Sequence, residues 1–207
     1  YGVLAPAAVV PVNQGAPEDD GVFIVDAATG QNRLLVSLAH IVEETRPLDP
    51  TIFRGGSYYG AHVKWNPQGT RIMLVLRWLP DGGDTARMER MVVTMDADGG
   101  NINIAIPAHR WKPGGHHPNW CPDGETVLMN LNLHRDGLRF VTARYDGSSL
   151  VDAAPGVMGS GHPTMHPNGR HILTDAYPNE TLAFGDGTAP IRLVDRRSVG
   201  GRRLHRG

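Results

Sequence analysis

Three segments of the chain place a histidine five residues before a Pro-x-Gly turn. The histidines are His62, His117 and His162, and the turns begin at Pro67, Pro122 and Pro167. Repeated units of about this length are typical of solenoids and propellers, in which equivalent positions of successive units come close together. The pattern therefore predicts a repeat protein in which the three histidines form a cluster.

Strand-like segments and tight turns fill each unit. In the second unit the strands are expected over 71–78, 91–95 and 102–106, after the histidine strand. Four short antiparallel strands per unit are typical of a β-propeller blade. We expect an all-β fold with about three and a half blades, at residues 1–40, 61–107, 116–154 and 161–197 of a single partial domain. The segment 37–51 is expected to form either a short helix or an interblade loop.

Three and a half blades are too few for a closed ring, which leads to expectations about partners. A closed propeller has at least four blades, and an open ring leaves strand edges that pair with other chains. Either a missing portion of the chain or self-association is expected to close the ring. The chain begins at Tyr1, so the N-terminus is expected to be incomplete, and a cytoplasmic location is favoured over a periplasmic one.

Composition argues against two classes of partner. The formal net charge is -1, and the concentrated basic stretch, 196–206, is interpreted as a frayed or truncated end, so no nucleic-acid partner is expected. No apolar run approaches the roughly 18 residues of a membrane span, and no membrane partner is expected.

Blade geometry predicts which side chains surround the histidines. The second strand of a blade returns antiparallel to the innermost strand, so its end lies at the mouth where the innermost strand began. The second strands are expected to end at Arg77, Asn132 and Tyr177, with Asn130 and Asp175 two residues earlier. Such a polar rim suits an acidic sugar, for which Asn130, Asn132 and Asp175 are the predicted binding residues.

The histidine cluster is interpreted as a metal site with His62, His117 and His162 as ligands. Simpler roles remain open. A single histidine at a strand start is usually structural, and any metal could serve only to tie the blades together. Arg77 beside Trp78 could brace two blades. Trp65, Trp120 and Met165 share one repeat position and are expected to pack between blades rather than stack on substrate.

Several of these segments together resemble the oligogalacturonate lyases of polysaccharide lyase family 22. The resemblance is carried by residues 20–26, 61–69, 76–78, 161–163 and 167–170, and it extends over most of residues 19–195. It implies a seven-bladed propeller and a divalent metal held by histidines and a glutamine on the axis, most often Mn2+, with Zn2+ or Ca2+ as alternatives. About half of the implied ring is absent from this sequence, and no counterpart of the glutamine is identified.

The resemblance implies β-elimination from short uronate oligomers, as in pectin degradation. The family's proposed base is an arginine, and Arg77 stands at the matching strand end. A guanidinium is effectively always protonated in proteins, so the alternative is that Arg77 pairs with the substrate carboxylate while Tyr177 or His116 handles the proton. A non-catalytic module that binds carbohydrate or protein is the other function class that fits this fold.

Overall fold

The computed structural model describes residues 15–45, 53, 55–197 and 202–203, and this part of the chain is predominantly β-structure. Its strands form four antiparallel sheets, each with its strands in chain order. The first sheet has β1 (Gly21–Val25) and β2 (Asn32–Ser37); the second has β3 (Ser57–Trp65), β4 (Arg71–Leu79), β5 (Glu89–Asp96) and β6 (Asn103–Ile106). The third has β7 (Gly115–Trp120), β8 (Thr126–Leu131), β9 (Arg139–Arg144) and β10 (Val151–Asp152); the fourth has β11 (Thr164–Met165), β12 (His171–Thr174), β13 (Arg192–Asp195) and β14 (Arg202–Arg203).

Four-stranded antiparallel meanders of this kind are β-propeller blades, which confirms the predicted fold class. Hydrophobic clusters lie between the first and second sheets, the second and third, and the third and fourth. Strand β4 contributes to two of them, because Ile72 and Leu74 face the first sheet while Met73 and Val75 face the third. A strand buried on both faces needs no polar alternation, which explains the uninterrupted apolar run of β4.

The Pro-x-Gly turns connect the first and second strands of each complete blade. Their glycines, Gly69, Gly124 and Gly169, have φ angles of 67°, 69° and 66°. This left-handed conformation is accessible to glycine without steric strain. In the second sheet the Asn66 side chain accepts hydrogen bonds from the backbone N–H groups of Thr70 and Arg71, at 2.8 and 2.9 Å, and so fixes the turn from inside.

Two short helices lie between sheets. Helix α1 (Leu38–Glu44) follows β2, and the Ser37 side chain caps it by accepting a hydrogen bond from the His40 N–H at 3.1 Å. Of the two alternatives for this segment the helix is therefore confirmed, as far as Thr45, and residues 46–51 lie outside the described residues. Helix α2 (Ala108–Trp111) packs Trp111 between the second and third sheets. No helix in the described ranges is long and apolar enough to cross a membrane.

Two expectations about packing and strands need correction. The fourth blade is expected to end at residue 197, but its sheet has a fourth strand, β14, which pairs with β13. Trp120 and Met165 are each 5% exposed between blades, but Trp65 is 50% exposed, so interblade packing is wrong for Trp65. The physical reason is that the described first sheet has only the strands β1 and β2, and no inner strand stands in front of Trp65.

Candidate functional site

Two of the aligned histidines occupy β-bulges. The pairing of β3 with β4 shifts between Ala61 and Lys64, and the pairing of β7 with β8 shifts between His116 and Asn119. Inside these bulges His62 and His117 have φ angles of 53° and 57°. A bulge bends its strand and re-aims a side chain, so the same distortion redirects both imidazoles.

The third aligned histidine is offset by one residue. In the fourth blade the left-handed conformation falls on Gly161, at φ 62°, and His162 follows it. When the three units are aligned on the proline of the turn, His162 therefore takes the same sequence position as His62 and His117, but its backbone conformation is different.

Four aromatic rings meet at this end of the third and fourth blades. His117 Nε2 lies 2.6 Å from the Tyr177 hydroxyl oxygen. The ring centroids of His117 and His162 are 4.0 Å apart, and those of His116 and His117 are 4.7 Å apart. The His162 and Tyr177 centroids are 5.8 Å apart. The structure thus brings together His116, His117, His162 and Tyr177, all of which the sequence singled out.

A carboxylate orients His162. The Nδ1 atom of His162 lies 3.0 and 3.1 Å from the two Asp175 carboxylate oxygens, and its backbone N–H donates to one of them at 2.6 Å. Burial alone would raise the pKa of Asp175, but the hydrogen bonds from His162 lower it below the usual value. A carboxylate on Nδ1 fixes the tautomer of an imidazole and leaves Nε2 as the acceptor. His162 and Asp175 therefore form a dyad.

The central histidine is neutral at physiological pH. Burial, followed by the neighbouring rings of His116 and His162, lowers the pKa of His117 to about 4, and His62 and Lys64 add to the effect. Burial is also the main cause of the lowered pKa values of His116 and His62. The tautomer of His117 sets the direction of this bond: with the proton on Nε2 the imidazole donates to the Tyr177 oxygen, and with the proton on Nδ1 it accepts the Tyr177 O–H. In either case the contact fixes the position of the hydroxyl oxygen.

Stability is expected to fall on acidification because of this histidine. In the unfolded chain His117 takes up a proton near pH 6.5, whereas in the folded chain it does so only near pH 4. Its contribution is complete above about pH 6.5 and is lost as the pH falls from there towards 4. Urea midpoints measured from neutral to acid pH should therefore decline less steeply for His117→Gln than for wild type. Equal slopes would contradict this assignment.

The bulge conformation gives a second test. A non-glycine residue in the left-handed region is less stable than glycine there by roughly 1–2 kcal/mol. We expect His117→Gly to be more stable than His117→Ala by about 1 kcal/mol, measured by chemical denaturation. His162 lies outside the left-handed region, so at that position the alanine variant should be at least as stable as the glycine variant. If the glycine variant were the more stable at both positions, the bulge conformation would not be the cause of the difference in stability.

The other predicted residues of the mouth differ in what they contact. Arg77 has a buried Nε atom without a hydrogen-bond partner among the described residues, and its guanidinium carbon lies 5.8 Å from the Tyr59 ring centroid. Asn130 is fully buried and donates to the Gly161 carbonyl at 2.8 Å. Asn132 donates to the Pro113 carbonyl at 3.2 Å and accepts from the Gly137 N–H at 3.1 Å. Both asparagines thus hold loops in place, and their role in binding a sugar stays a prediction.

Two charged residues of the site were missed from the sequence. The Glu180 carboxylate accepts hydrogen bonds from the Ser160 hydroxyl and, at 3.3 Å, from the Tyr177 N–H, and its charge opposes the lowering of the His116 pKa. The Lys64 ammonium donates to the Pro118 carbonyl at 2.9 Å, next to His117. The sequence signal for Glu180 was its position three residues after Tyr177. No sequence pattern indicates that Lys64 reaches the neighbouring blade.

The side chains as arranged do not fit a three-histidine metal site. The rings of His117 and His162 pack against each other, whereas two imidazoles on one ion must both direct a nitrogen at it. No three His, Cys, Asp or Glu side chains in the described part of the chain form a group that could hold a metal ion. His62 enters the cluster electrostatically, through its effect on the His117 pKa.

Comparisons with known proteins place this geometry in a structural class. No family model matches the chain, and no curated protein matches it. Among solved structures, an oligogalacturonate lyase in complex with manganese is similar at 12% identity and a TM-score of 0.59, over 89% of this chain and 41% of that one. TolB from Acinetobacter baumannii is similar at 13% identity and a TM-score of 0.53, over 88% of this chain and 37% of that one.

Identities this low show the fold alone. The chain spans less than half the length of either structure, and the class that fold and comparisons define is the β-propeller protein. Within that class the matches include both a lyase and TolB, so the class does not select a reaction. The particular chemistry has to be argued from the side chains at the mouth.

Proposed function

We propose that the chain forms part of a lyase that cleaves short uronate oligomers by β-elimination. The observation that carries the proposal is the juxtaposition of two oriented groups, the His162–Asp175 dyad and the Tyr177 hydroxyl bonded to His117. One group is suited to accept a proton and the other to donate one. β-Elimination needs both, on adjacent carbons of one sugar ring.

His162 is the proposed general base. Histidine is the side chain that most often serves as a general base, and Asp175 holds its Nδ1–H so that Nε2 is left as the acceptor. His162 is also half exposed, so a substrate can reach it. This role differs from the metal-ligand role that the sequence pattern suggested for His162 and from the substrate-binding role suggested for Asp175.

Tyr177 is the proposed general acid. Its ring centroid lies 5.8 Å from that of His162, which lets the two side chains serve neighbouring carbons. The proton on C5 passes to His162 Nε2, the C–H electron pair forms the C4–C5 double bond, and the C4–O bond breaks. In this step His117 carries its proton on Nε2 and donates to the Tyr177 oxygen, so that the leaving oxygen takes the hydroxyl proton of Tyr177, and exchange with water restores both groups. His116, the other candidate for proton transfer, has its Nδ1 3.3 Å from the Asn130 amide nitrogen.

Arg77 is proposed to bind the uronate carboxylate. Removing a proton next to a carboxylate requires that the negative charge of the carboxylate be neutralised. The Arg77 side chain is partly buried at the end of β4, and its charge acts on His62, which in turn acts on His117. An arginine pairs with a carboxylate through two parallel hydrogen bonds. This role avoids the deprotonated guanidinium that a base would need.

A divalent ion, Mn2+ above all, is a separate part of the proposal. The similar lyase was solved in complex with manganese, and an ion on the uronate carboxylate would share the charge-neutralising task of Arg77. In the described arrangement the histidines do not hold such an ion, and none of the proton transfers above depends on one.

The direct test is an ultraviolet assay. Incubation with oligogalacturonate, with and without Mn2+, should produce an absorbance rise from the unsaturated uronate product. Asp175→Asn should lower the turnover number, with a smaller effect on KM, because it removes the carboxylate that orients His162. Elemental analysis of the purified protein separates the metal part of the proposal from the reaction itself.

The outcomes are distinct. Binding of oligogalacturonate without any absorbance rise would replace the lyase by the non-catalytic carbohydrate-binding alternative. Absence of both binding and absorbance change, with any uronate oligomer, would reject the acidic oligosaccharide as a ligand. A metal content that falls in His117→Ala would show that the histidines rearrange to bind an ion, whereas an unchanged content would agree with the described arrangement.

A further inference from the structure

Two arginines lie side by side on neighbouring strands of the second blade. Arg77 on β4 pairs directly opposite Arg90 on β5, and Tyr59 on β3 pairs with Arg77 from the other side. Alternate residues of a strand point to the same side. Val75 and Val92, two residues away on β4 and β5, pack towards the third blade, so Arg77 and Arg90 face the third blade as well. We call Tyr59, Arg77 and Arg90 the arginine row.

No carboxylate in the described part of the chain pairs with either arginine of the row. Neither guanidinium forms a hydrogen bond there, and the Nε atom of Arg77 is buried. Glu89 precedes Arg90 but points to the other side of β5, where its carboxylate lies 2.7 Å from Lys112 Nζ. Burial, followed by the charge of Arg77, lowers the pKa of Arg90, and Tyr59 and Glu89 oppose this effect. Like charges directly opposite on adjacent strands are destabilising.

Packing between blades does not account for the arginine pair. In the third blade Asn132 has the repeat position of Arg77, ten residues after the proline of the turn. Asn132 makes hydrogen bonds within its own blade, to the Pro113 carbonyl and from the Gly137 N–H. A charge that joined two blades would have a partner on the neighbouring blade. A buried polar atom without one, such as Arg77 Nε, calls for a ligand or a functional role.

We propose that the arginine row is an oxyanion site, in which Arg77 and Arg90 together bind one carboxylate of the acidic oligosaccharide. The identity of the anion rests on the proposed function, to which the arginine row adds Arg90 as a specificity-determining residue. Opposite Cβ atoms of adjacent strands are about 5 Å apart, so both guanidinium groups can reach the same anion. The Tyr59 ring, with its centroid 5.8 Å from the Arg77 guanidinium carbon, bounds the site on the side of the innermost strand.

Two guanidinium groups select for a negatively charged ligand. A guanidinium binds a carboxylate through two parallel N–H···O bonds and is more weakly hydrated than an ammonium group. A carboxylate between the arginines would also remove their mutual repulsion. A neutral sugar would do neither, so the arginine row should discriminate against sugars that lack a carboxylate.

The test is equilibrium binding of galacturonate, a monosaccharide that has the carboxylate but no glycosidic bond to cleave. Calorimetry at low ionic strength should show that wild type binds galacturonate more tightly than galactose. Arg90→Gln should weaken galacturonate binding about tenfold or more, the usual effect of losing a hydrogen bond between charged groups. Arg90→Lys keeps the charge without the parallel bonds and should be intermediate. Arg33→Gln is the matched control, because Arg33 is exposed on β2, and it should bind as wild type does.

Stability without ligand separates this role from a structural one. Because Arg90→Gln removes a like charge opposite Arg77, its urea midpoint should equal or exceed that of wild type. A midpoint well below that of Arg33→Gln, together with unchanged galacturonate binding, would show that Arg90 braces the blades and would overturn the proposal.

The arginine row and the lyase reaction can fail separately. Galacturonate binding that depends on Arg90, without any absorbance rise from oligogalacturonate, would support the oxyanion site and reject the lyase. Cleavage of oligogalacturonate with neither KM nor galacturonate binding changed in Arg90→Gln would keep the lyase and reject the oxyanion site. Equal affinity of wild type for galacturonate and galactose would also reject the site.

Discussion

Replacing Tyr177 by phenylalanine is expected to lower the turnover of oligogalacturonate by roughly 10²–10⁴-fold, the usual contribution of a positioned general acid or base. The substitution removes the hydroxyl that lies 2.6 Å from His117 Nε2 and keeps the ring. Since the proposed hydroxyl proton is transferred in the transition state, the turnover number should fall more than the affinity for substrate. Steady-state measurement of the ultraviolet absorbance rise gives both quantities.

The matched control for this variant is Tyr145→Phe. The Tyr145 ring centroid, just after β9 of the third blade, lies 3.6 Å from the guanidinium carbon of Arg71 on β4, and this contact survives the loss of the hydroxyl. Its activity should equal that of wild type. Full activity in Tyr177→Phe would remove the residue from the mechanism, whereas equal losses in both variants would point to a general effect on folding.

Truncation of Trp120 to alanine is expected to destabilise the fold by about 3–5 kcal/mol, the range for large aromatic side chains in cores. Trp120 is 5% exposed in the cluster between the second and third blades. Its indole N–H also donates to the Lys64 carbonyl at 3.2 Å, so truncation removes a link between the innermost strands of two blades. Chemical denaturation gives the change in the free energy of unfolding.

Trp65→Ala removes the same side chain from the same repeat position and is the natural comparison. Because Trp65 is 50% exposed, its truncation should destabilise by well under half as much. Equal losses for the two variants would mean that the first blade shields Trp65 as fully as the second blade shields Trp120.

The strand pattern of this chain could be predicted because it depends on local chemistry. Proline and glycine mark the turns, so the strand positions follow from the spacing between them. The uninterrupted apolar run of β4 indicates burial on both of its faces. The shared end of the second strands also follows from antiparallel pairing. That reasoning expected the second strand of the fourth blade to end at Tyr177; β12 ends at Thr174, and Tyr177 lies three residues further on, hydrogen-bonded to His117.

The details of the site depend on backbone distortions that spacing does not encode. His62 and His117 carry the left-handed bulge themselves, but in the fourth blade Gly161 carries it. This offset, invisible in an alignment on the proline, gives His162 a ring contact with His117 and a carboxylate partner in Asp175. The role of Glu180 depends on the path of the loop after β12, which no repeat pattern specifies.

The bare position of Trp65 also makes the protein its own optical probe. The chain has four tryptophans, and the other three, Trp78, Trp111 and Trp120, are between 2% and 5% exposed. A soluble fluorescence quencher will therefore reach the indole of Trp65 far more readily than the other three. The quenchable share of the emission then reports, without any label, whether another polypeptide covers the inner strand of the second blade.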